Sequence, residues 1–185
     1  MLLNKLFRDF PELETDRLVL KELTQSNTQD LLEIFSDPEV MKYYNMKPAQ
    51  SVDEIKGLIT DTKKSYEDCQ AIRWGIHLKE NDKLVGTCGF QNFEEESKKF
   101  EIGYELSRSY WGQGIMKEAI ERTLMFGFEQ VEVNRVEALV ESENISSQKL
   151  LEKINFTKEG LFRDYKFNKG QFRDMVMYAL LKHEF

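Results

Sequence analysis

FEIGYELSRSYWGQGIMKEA, residues 100–119, decides how this chain is to be read. Its first seven residues alternate. Phe100, Ile102, Tyr104 and Leu106 share one side, and Glu101, Gly103 and Glu105 share the other, which is the period of a strand. From Gly114 onward the apolar residues recur at helical spacing, with Met116, Ala119, Ile120, Thr123 and Leu124 on one face. Between strand and helix lies a tight turn containing Gly112 and Gly114. A strand that enters a helix this way leaves the first backbone N–H groups of the helix free to hold an anion. Glycine removes the Cβ atoms that would keep a phosphate away. No acidic residue lies between Leu106 and Lys117 to repel one. The stretch predicts a site for a phosphate-bearing ligand, although a plain helix-entry turn has the same local pattern. It lacks the third glycine of the dinucleotide-binding fingerprint and the Gly-Lys-Ser/Thr of a P-loop.

Upstream, residues 17–23 alternate as a first strand, and Leu31, Leu32 and Phe35 mark a helix over 28–36. Asp37-Pro38 opens a second short helix through Tyr43, followed by an aromatic loop to Pro48. Ser51 and Glu54 form a capping box for a helix running to Glu67. Strands are expected near 71–79 and 83–92, joined at Asn81-Asp82, and a polar hairpin loop over 93–99 leads into the strand of residues 99–106. The helix after the glycine turn should run to about 128, with Glu118 and Arg122 paired at i,i+4 on its outer face. Downstream follow a fifth strand near 134–141 and a helix over 146–153. Asn155 is suited to end that helix in a left-handed conformation. Two last strands lie near 156–163 and 173–181. Helices alternating with strands and ending in hairpins predict a mixed α/β sheet covered by helices.

The 185 residues suit one domain spanning 1–185, and no linker, repeat or low-complexity segment interrupts them. Acidic residues outnumber basic ones by 33 to 26, for a net charge of -7, which argues against binding bulk nucleic acid and suits a cationic partner. Cys69 and Cys88 are too few for a disulfide framework and read as reduced cytosolic thiols. The opening MLLNKLFRDF is too charged for a signal peptide, and no apolar run approaches the roughly 18 residues of a membrane span. A cytoplasmic protein is expected. His77 and His183 stand in no metal-ligand spacing, so no metal is expected.

Two further groups could carry chemistry. Glu143-Asn144-Ile145-Ser146-Ser147 follows the fifth strand, where polar side chains face the ligand crevice of a sheet, though Asn144 or Ser146 would equally cap the next helix. Glu101 and Glu105 lie on one side of the strand that enters the glycine turn, and either carboxylate could accept a proton.

Together these residues resemble the GCN5-related N-acetyltransferases (GNAT), and more closely their RimJ/RimL-type branch, which acetylates the N-termini of ribosomal proteins. The family's R/Q-x-x-G-x-G/A turn is matched by Ser109-Tyr110-Trp111-Gly112-Gln113-Gly114, with serine in place of Arg or Gln. Glu14 to Leu20 is similar to the branch's first strand, Glu101-Ile102-Gly103-Tyr104 to its fourth, and Asn144-x-x-Ser147 to its later polar pair. Leu150 to Phe156 matches L-L-E-K-x-G-F with Asn155 replacing glycine, and Glu159-Gly160 and Asp174 to Leu180 fit as well.

The resemblance implies a mostly antiparallel sheet of about seven strands, with the fourth and fifth splayed apart. It implies acetyl-coenzyme A as cosubstrate, with its pyrophosphate over the turn from Trp111 on the amides of Gly112, Gln113, Gly114, Ile115 and Met116. The pantetheine arm would pair near Leu106 and meet Asn144, and Lys149 or Lys153 would face the 3′-phosphate. Transfer to an amine would proceed by direct attack, with Glu101 or Glu105 as base and Ser147 stabilising the leaving thiolate. The acceptor would be a protein N-terminus or a small amine, framed by residues 28–68, by a loop over 163–172, and by Tyr43, Tyr44, Phe162, Tyr165 and Phe167. A monomer or homodimer is expected. The alternative reading is a catalytically idle acyl-coenzyme A-binding module.

Overall fold

A computed structural model describes residues 6–185; residues 1–5, part of the stretch read for a leader, lie outside them. Among the described residues, eight strands form one sheet: β1 (Leu13–Glu14), β2 (Leu18–Glu22), β3 (Ile72–Leu78), β4 (Leu84–Glu94), β5 (Lys99–Leu106), β6 (Arg135–Glu141), β7 (Thr157–Asn168) and β8 (Gln171–Leu181), in the order β1-β2-β3-β4-β5-β6-β8-β7. Every neighbouring pair is antiparallel except β5 with β6. Four helices accompany it: α1 (Thr28–Ser36), α2 (Val52–Glu67), α3 (Ile115–Met125) and α4 (Ile145–Lys153). The strand beyond the expected seven is the two-residue β1, too short to show a period of two.

Alternation divides the sheet into two faces. Trp74, Val85, Phe90, Phe100 and Ile102 are buried in one apolar cluster with Met116, Ala119, Ile120 and Leu124 of α3. Leu84 points to the other face and joins Leu31, Ile34 and Phe35 of α1 and Ile55 and Ile59 of α2. Ser51 caps α2 as its sequence predicts, accepting from the Glu54 amide at 3.3 Å, while Glu54 Oε2 accepts from the Gln50 amide. Asn155 closes α4 at φ 66°.

Tertiary contacts override several local expectations. The segment after Asp37-Pro38 makes only a 3-10 turn, Val40–Tyr43. Helix α3 ends at Met125 and widens into a π turn, Phe126–Val131. Glu118 does not pair with Arg122: it binds Arg17 of the chain's start, and Arg122 Nε donates to the Glu14 carbonyl at 3.1 Å. Residues 163–172 are no loop, because β7 and β8 run on as one hairpin that turns at Lys169-Gly170. No helix among the described residues is long and apolar enough to cross a membrane. Cys69 and Cys88 are free thiols.

One irregularity sets up the site. β5 pairs with β6 only from Lys99↔Arg135 to Glu101↔Glu137, yet β5 continues along β4 to Leu106 and β6 continues along β8 to Glu141. Each strand stays with its own half of the sheet, so the halves part between them. The Ser107 amide donates to the Val85 carbonyl at 2.8 Å. Counting back by twos, Glu105 and Gly103 turn their backbone groups to β4. Ile102, Tyr104 and Leu106 therefore turn theirs into the opening cleft.

Candidate active site

The strand-to-helix link is folded back on β5. Trp111 donates its indole N–H to the Leu106 carbonyl at 2.8 Å, and the Tyr110 amide donates to Ser107 at 3.0 Å. The Gln113 side chain donates to the Ser109 carbonyl at 2.9 Å, closing the turn with a backbone acceptor at the position where the family carries Arg or Gln. Gly112 and Gly114 sit at φ 75° and 77°, a region that L side chains rarely enter. Gly114 is the N-cap of α3, and no side chain caps the helix. Residues 111–114 are exposed.

The first amides of α3 thus follow two glycines that carry no Cβ, with no side-chain cap to occupy them. That arrangement makes a candidate anion cradle, reinforced by the positive end of the helix. A diphosphate such as that of coenzyme A fits the donor set. Glu118, in the first turn, does not spoil it. Thr15 Oγ1 and the Arg17 amide donate to its Oε1, and Arg17 Nε donates to Oε2 at 2.7 Å. Burial raises the Glu118 pKa, but these bonds outweigh it and hold the carboxyl below its usual range. Arg17 Nη1 also donates to the Gln113 carbonyl at 3.1 Å, bracing the cradle from behind. Sequence reasoning placed Arg17 in the first strand and gave it no part in the turn, because nothing local links residues 96 positions apart.

Across the cleft stands α4. Asn144 caps it, its Oδ1 accepting from the Ser147 amide at 3.2 Å and from Ser146 Oγ at 2.9 Å, so only its amide N–H2 remains for a ligand. The Ser147 hydroxyl meets Tyr104 Oη of β5 at 2.7 Å. Burial pushes the Tyr104 phenol up to about 12, opposed by the bond to Ser147. Alternation alone puts Tyr104 on the apolar side of its strand. Only the divergence of β5 from β6 turns that side into a site wall. Lys149 and Lys153 are exposed on α4.

The two glutamates have different surroundings. The Glu105 side chain is 1% exposed, ion-paired to Arg73, and accepts hydrogen bonds from Tyr44 Oη and Thr87 Oγ1. Burial lowers the Arg73 pKa, and the Glu105 charge beside it more than reverses this. Burial, then the Glu105 charge, raises that of Tyr44. Glu101 is half-buried and accepts from Gln91 Nε2 at 3.1 Å and Asn92 Nδ2 at 2.8 Å, both neutral amides.

Residues 40–44 form a strap across this face of the cleft. Tyr44 binds Glu105 on the β5 side, while Tyr43 Oη donates to the Glu143 carbonyl at 3.0 Å beyond β6. The β7–β8 turn reaches the same strap, with Lys169 Nζ donating to the carbonyls of Met41 at 2.7 Å and Lys42 at 3.0 Å. Phe162 and Tyr165 stack on each other at 5.1 Å along β7, and Phe167 packs against Phe172 at 5.1 Å near the hairpin turn. These aromatics flank the strap's anchor rather than joining Tyr43 and Tyr44 in one pocket.

A family model described as an acetyltransferase (GNAT) domain matches residues 17–157. The chain is 41% identical over 173 residues to the "Uncharacterized N-acetyltransferase p20" of Bacillus licheniformis, covering 94% of this chain and 97% of that protein. It is 26% identical to the "[Ribosomal protein uS5]-alanine N-acetyltransferase" of Escherichia coli, covering 91% and 89% of the two chains. Its fold superposes with a TM-score of 0.84 on RimL, a ribosomal L7/L12 α-N-protein acetyltransferase solved with coenzyme A, at 19% identity and with 95% and 100% of the chains covered. These relatives are named as N-acetyltransferases, which disfavours an idle binding module. GNAT acetyltransferases use acetyl-coenzyme A, the anion that the cradle fits. The domain match over residues 17–157 and a relative 41% identical over nearly its whole length show that the chain belongs to the GNAT family of acetyltransferases.

Proposed function

We propose that this chain acts as one acetyltransferase domain on the N-terminal α-amine of a protein. The observation that carries this reading is the cleft between β5 and β6, with the anion cradle at one end and the Ser147 hydroxyl in its wall. The diphosphate would rest on the amides of Gly112, Gln113, Gly114, Ile115 and Met116, with Trp111 holding the turn. The Leu106 N–H and the Asn144 amide would meet the pantetheine arm, and Lys149 the 3′-phosphate. Acetyl-coenzyme A supplies an acetyl thioester. The amine attacks its carbonyl carbon directly, the C–N bond forming as the C–S bond breaks.

An ammonium must lose a proton before it can attack. Glu101 takes that proton through water: it is partly exposed, and its partners are neutral amides. Glu105 is enclosed by Arg73, Tyr44 and Thr87, and its role is to hold the strap. Ser147 donates a hydrogen bond to the departing sulfur, a bond to a developing charge worth about 1.5–3 kcal/mol. Glu101→Gln is expected to lower kcat about 100-fold, the low end for general-base loss, with acetyl-coenzyme A affinity retained. Equal turnover in the variant would remove Glu101 from this role.

A protein acceptor is supported by the ribosomal-protein substrate named for the Escherichia coli relative. A broad depression of about 780 Å³ along β7, lined by Leu161, Phe162, Arg163, Asp164, Tyr165 and Asp174, would give a peptide acceptor room to lie. The net charge of -7 suits a cationic amine. A ribosomal substrate would place the enzyme in the cytoplasm. The test is thiol release over a panel of N-terminal peptides, polyamines and aminoglycosides. Peptides should show the highest kcat/KM, with the product acetylated at the α-amine by mass spectrometry. Turnover confined to small amines would overturn the assignment.

A further inference from the structure

We propose that Tyr104 is a positioning residue: its phenol donates to Ser147 Oγ and so aims the one serine proton at the sulfur that leaves. The inference rests on the role given to Ser147 above. A serine hydroxyl has one proton and rotates freely, so an isolated serine satisfies whichever acceptor is nearest. Here the Ser147 oxygen lies 2.7 Å from Tyr104 Oη. Of two hydroxyls in contact, the phenol is the stronger acid and the better donor. A phenol is protonated through the neutral range, and burial here raises its pKa further. Once Tyr104 donates, a serine lone pair is used and the serine proton must point elsewhere.

The surroundings leave the cleft as that direction. The Ser147 amide is fixed to Asn144 Oδ1 at 3.2 Å, which holds the Cα–Cβ bond at the first turn of α4. Tyr104 stands on β5 beyond Glu101, the last residue paired with β6, so its ring crosses the gap where the sheet has opened. The ring packs against the apolar cluster beneath α3, which fixes the hydroxyl's position. No proton changes owner in this arrangement. The phenol and the serine each keep theirs, and the thiolate charge is stabilised by a donor already oriented before it forms.

The test compares Tyr104→Phe, Ser147→Ala and the double variant with the parent enzyme, using acetyl-coenzyme A and the best peptide of the panel. Phenylalanine keeps the ring and its packing and removes only the donor. Tyr104→Phe is expected to lower kcat about tenfold, as for one hydrogen bond of about 1.4 kcal/mol, while KM for acetyl-coenzyme A and its affinity by calorimetry stay at parental values. The double variant should turn over no more slowly than Ser147→Ala alone, since without the serine the phenol has nothing to aim. Ser147→Ala impaired beside a fully active Tyr104→Phe overturns the inference and leaves the role of Ser147 standing. A fully active Ser147→Ala overturns both. Multiplying losses in the double variant also overturn it, because the two residues would then act independently.

Discussion

Gly114→Val is expected to weaken acetyl-coenzyme A binding about 10²- to 10³-fold. Gly114 sits at φ 77°, where a β-branched side chain costs about 1–3 kcal/mol of backbone strain. The chain can relieve that strain only by turning the peptide groups of the cradle, and those groups are the donors. Each charge-assisted hydrogen bond lost to the diphosphate adds about 1.5–3 kcal/mol. A Cβ at 114 would stand in ordinary van der Waals contact with Arg17 Nη2, at 3.6 Å, so the penalty is one of backbone conformation. At Gly112 a Cβ would meet no protein atom within 4 Å, so alanine there adds to the backbone strain only its bulk beside the diphosphate. Calorimetric titration of both variants separates the two effects. Parental affinity in Gly114→Val would rule out the cradle as the anion site.

Arg73→Met should destabilise the fold by about 3–5 kcal/mol, the usual cost of removing one partner of a buried ion pair. The side chains of Arg73 and Glu105 are 22% and 1% exposed, so solvent cannot replace the lost guanidinium. Arg73 also donates to Thr87 Oγ1 at 2.7 Å and to Tyr44 Oη at 3.2 Å, and its loss loosens the strap as well as the sheet. In a chain of this length each kcal/mol lowers Tm by about 2–4 °C, which gives a fall of roughly 6–20 °C by calorimetry. Adding Glu105→Leu to Arg73→Met should recover much of the loss, because the orphaned charge is then gone. A single variant that melts with the parent would show the pair to be dispensable, and the strap would need another anchor.

The carboxylates show where local reading stops. Alternation puts Glu101 and Glu105 on one side of a strand, and the structure has them there. What separates them comes from other elements. Arg73 comes from β3 and Tyr44 from the strap, while Gln91 and Asn92 come from the hairpin beside β5. The same limit governs Glu118. An i,i+4 partner is worth a few tenths of a kcal/mol on an exposed helix, so the three bonds that Thr15 and Arg17 offer displace it. Tyr104 fell among apolar neighbours because its strand is amphipathic, and a period of two cannot tell a core wall from a cleft wall.

By itself the sequence determined the elements with strong periodicity, the two-glycine entry to α3, the capping of α2 and α4, and enough spaced motifs to point to the family. These depend on contacts within a few residues, where sterics and hydrogen-bond geometry are local. The tertiary structure alone decided where β5 leaves β6, which glutamate is enclosed and which stays open, how Arg17 braces the cradle, and that Tyr104 meets Ser147. These need groups up to 103 positions apart to arrive together, and packing of the whole sheet brings them there.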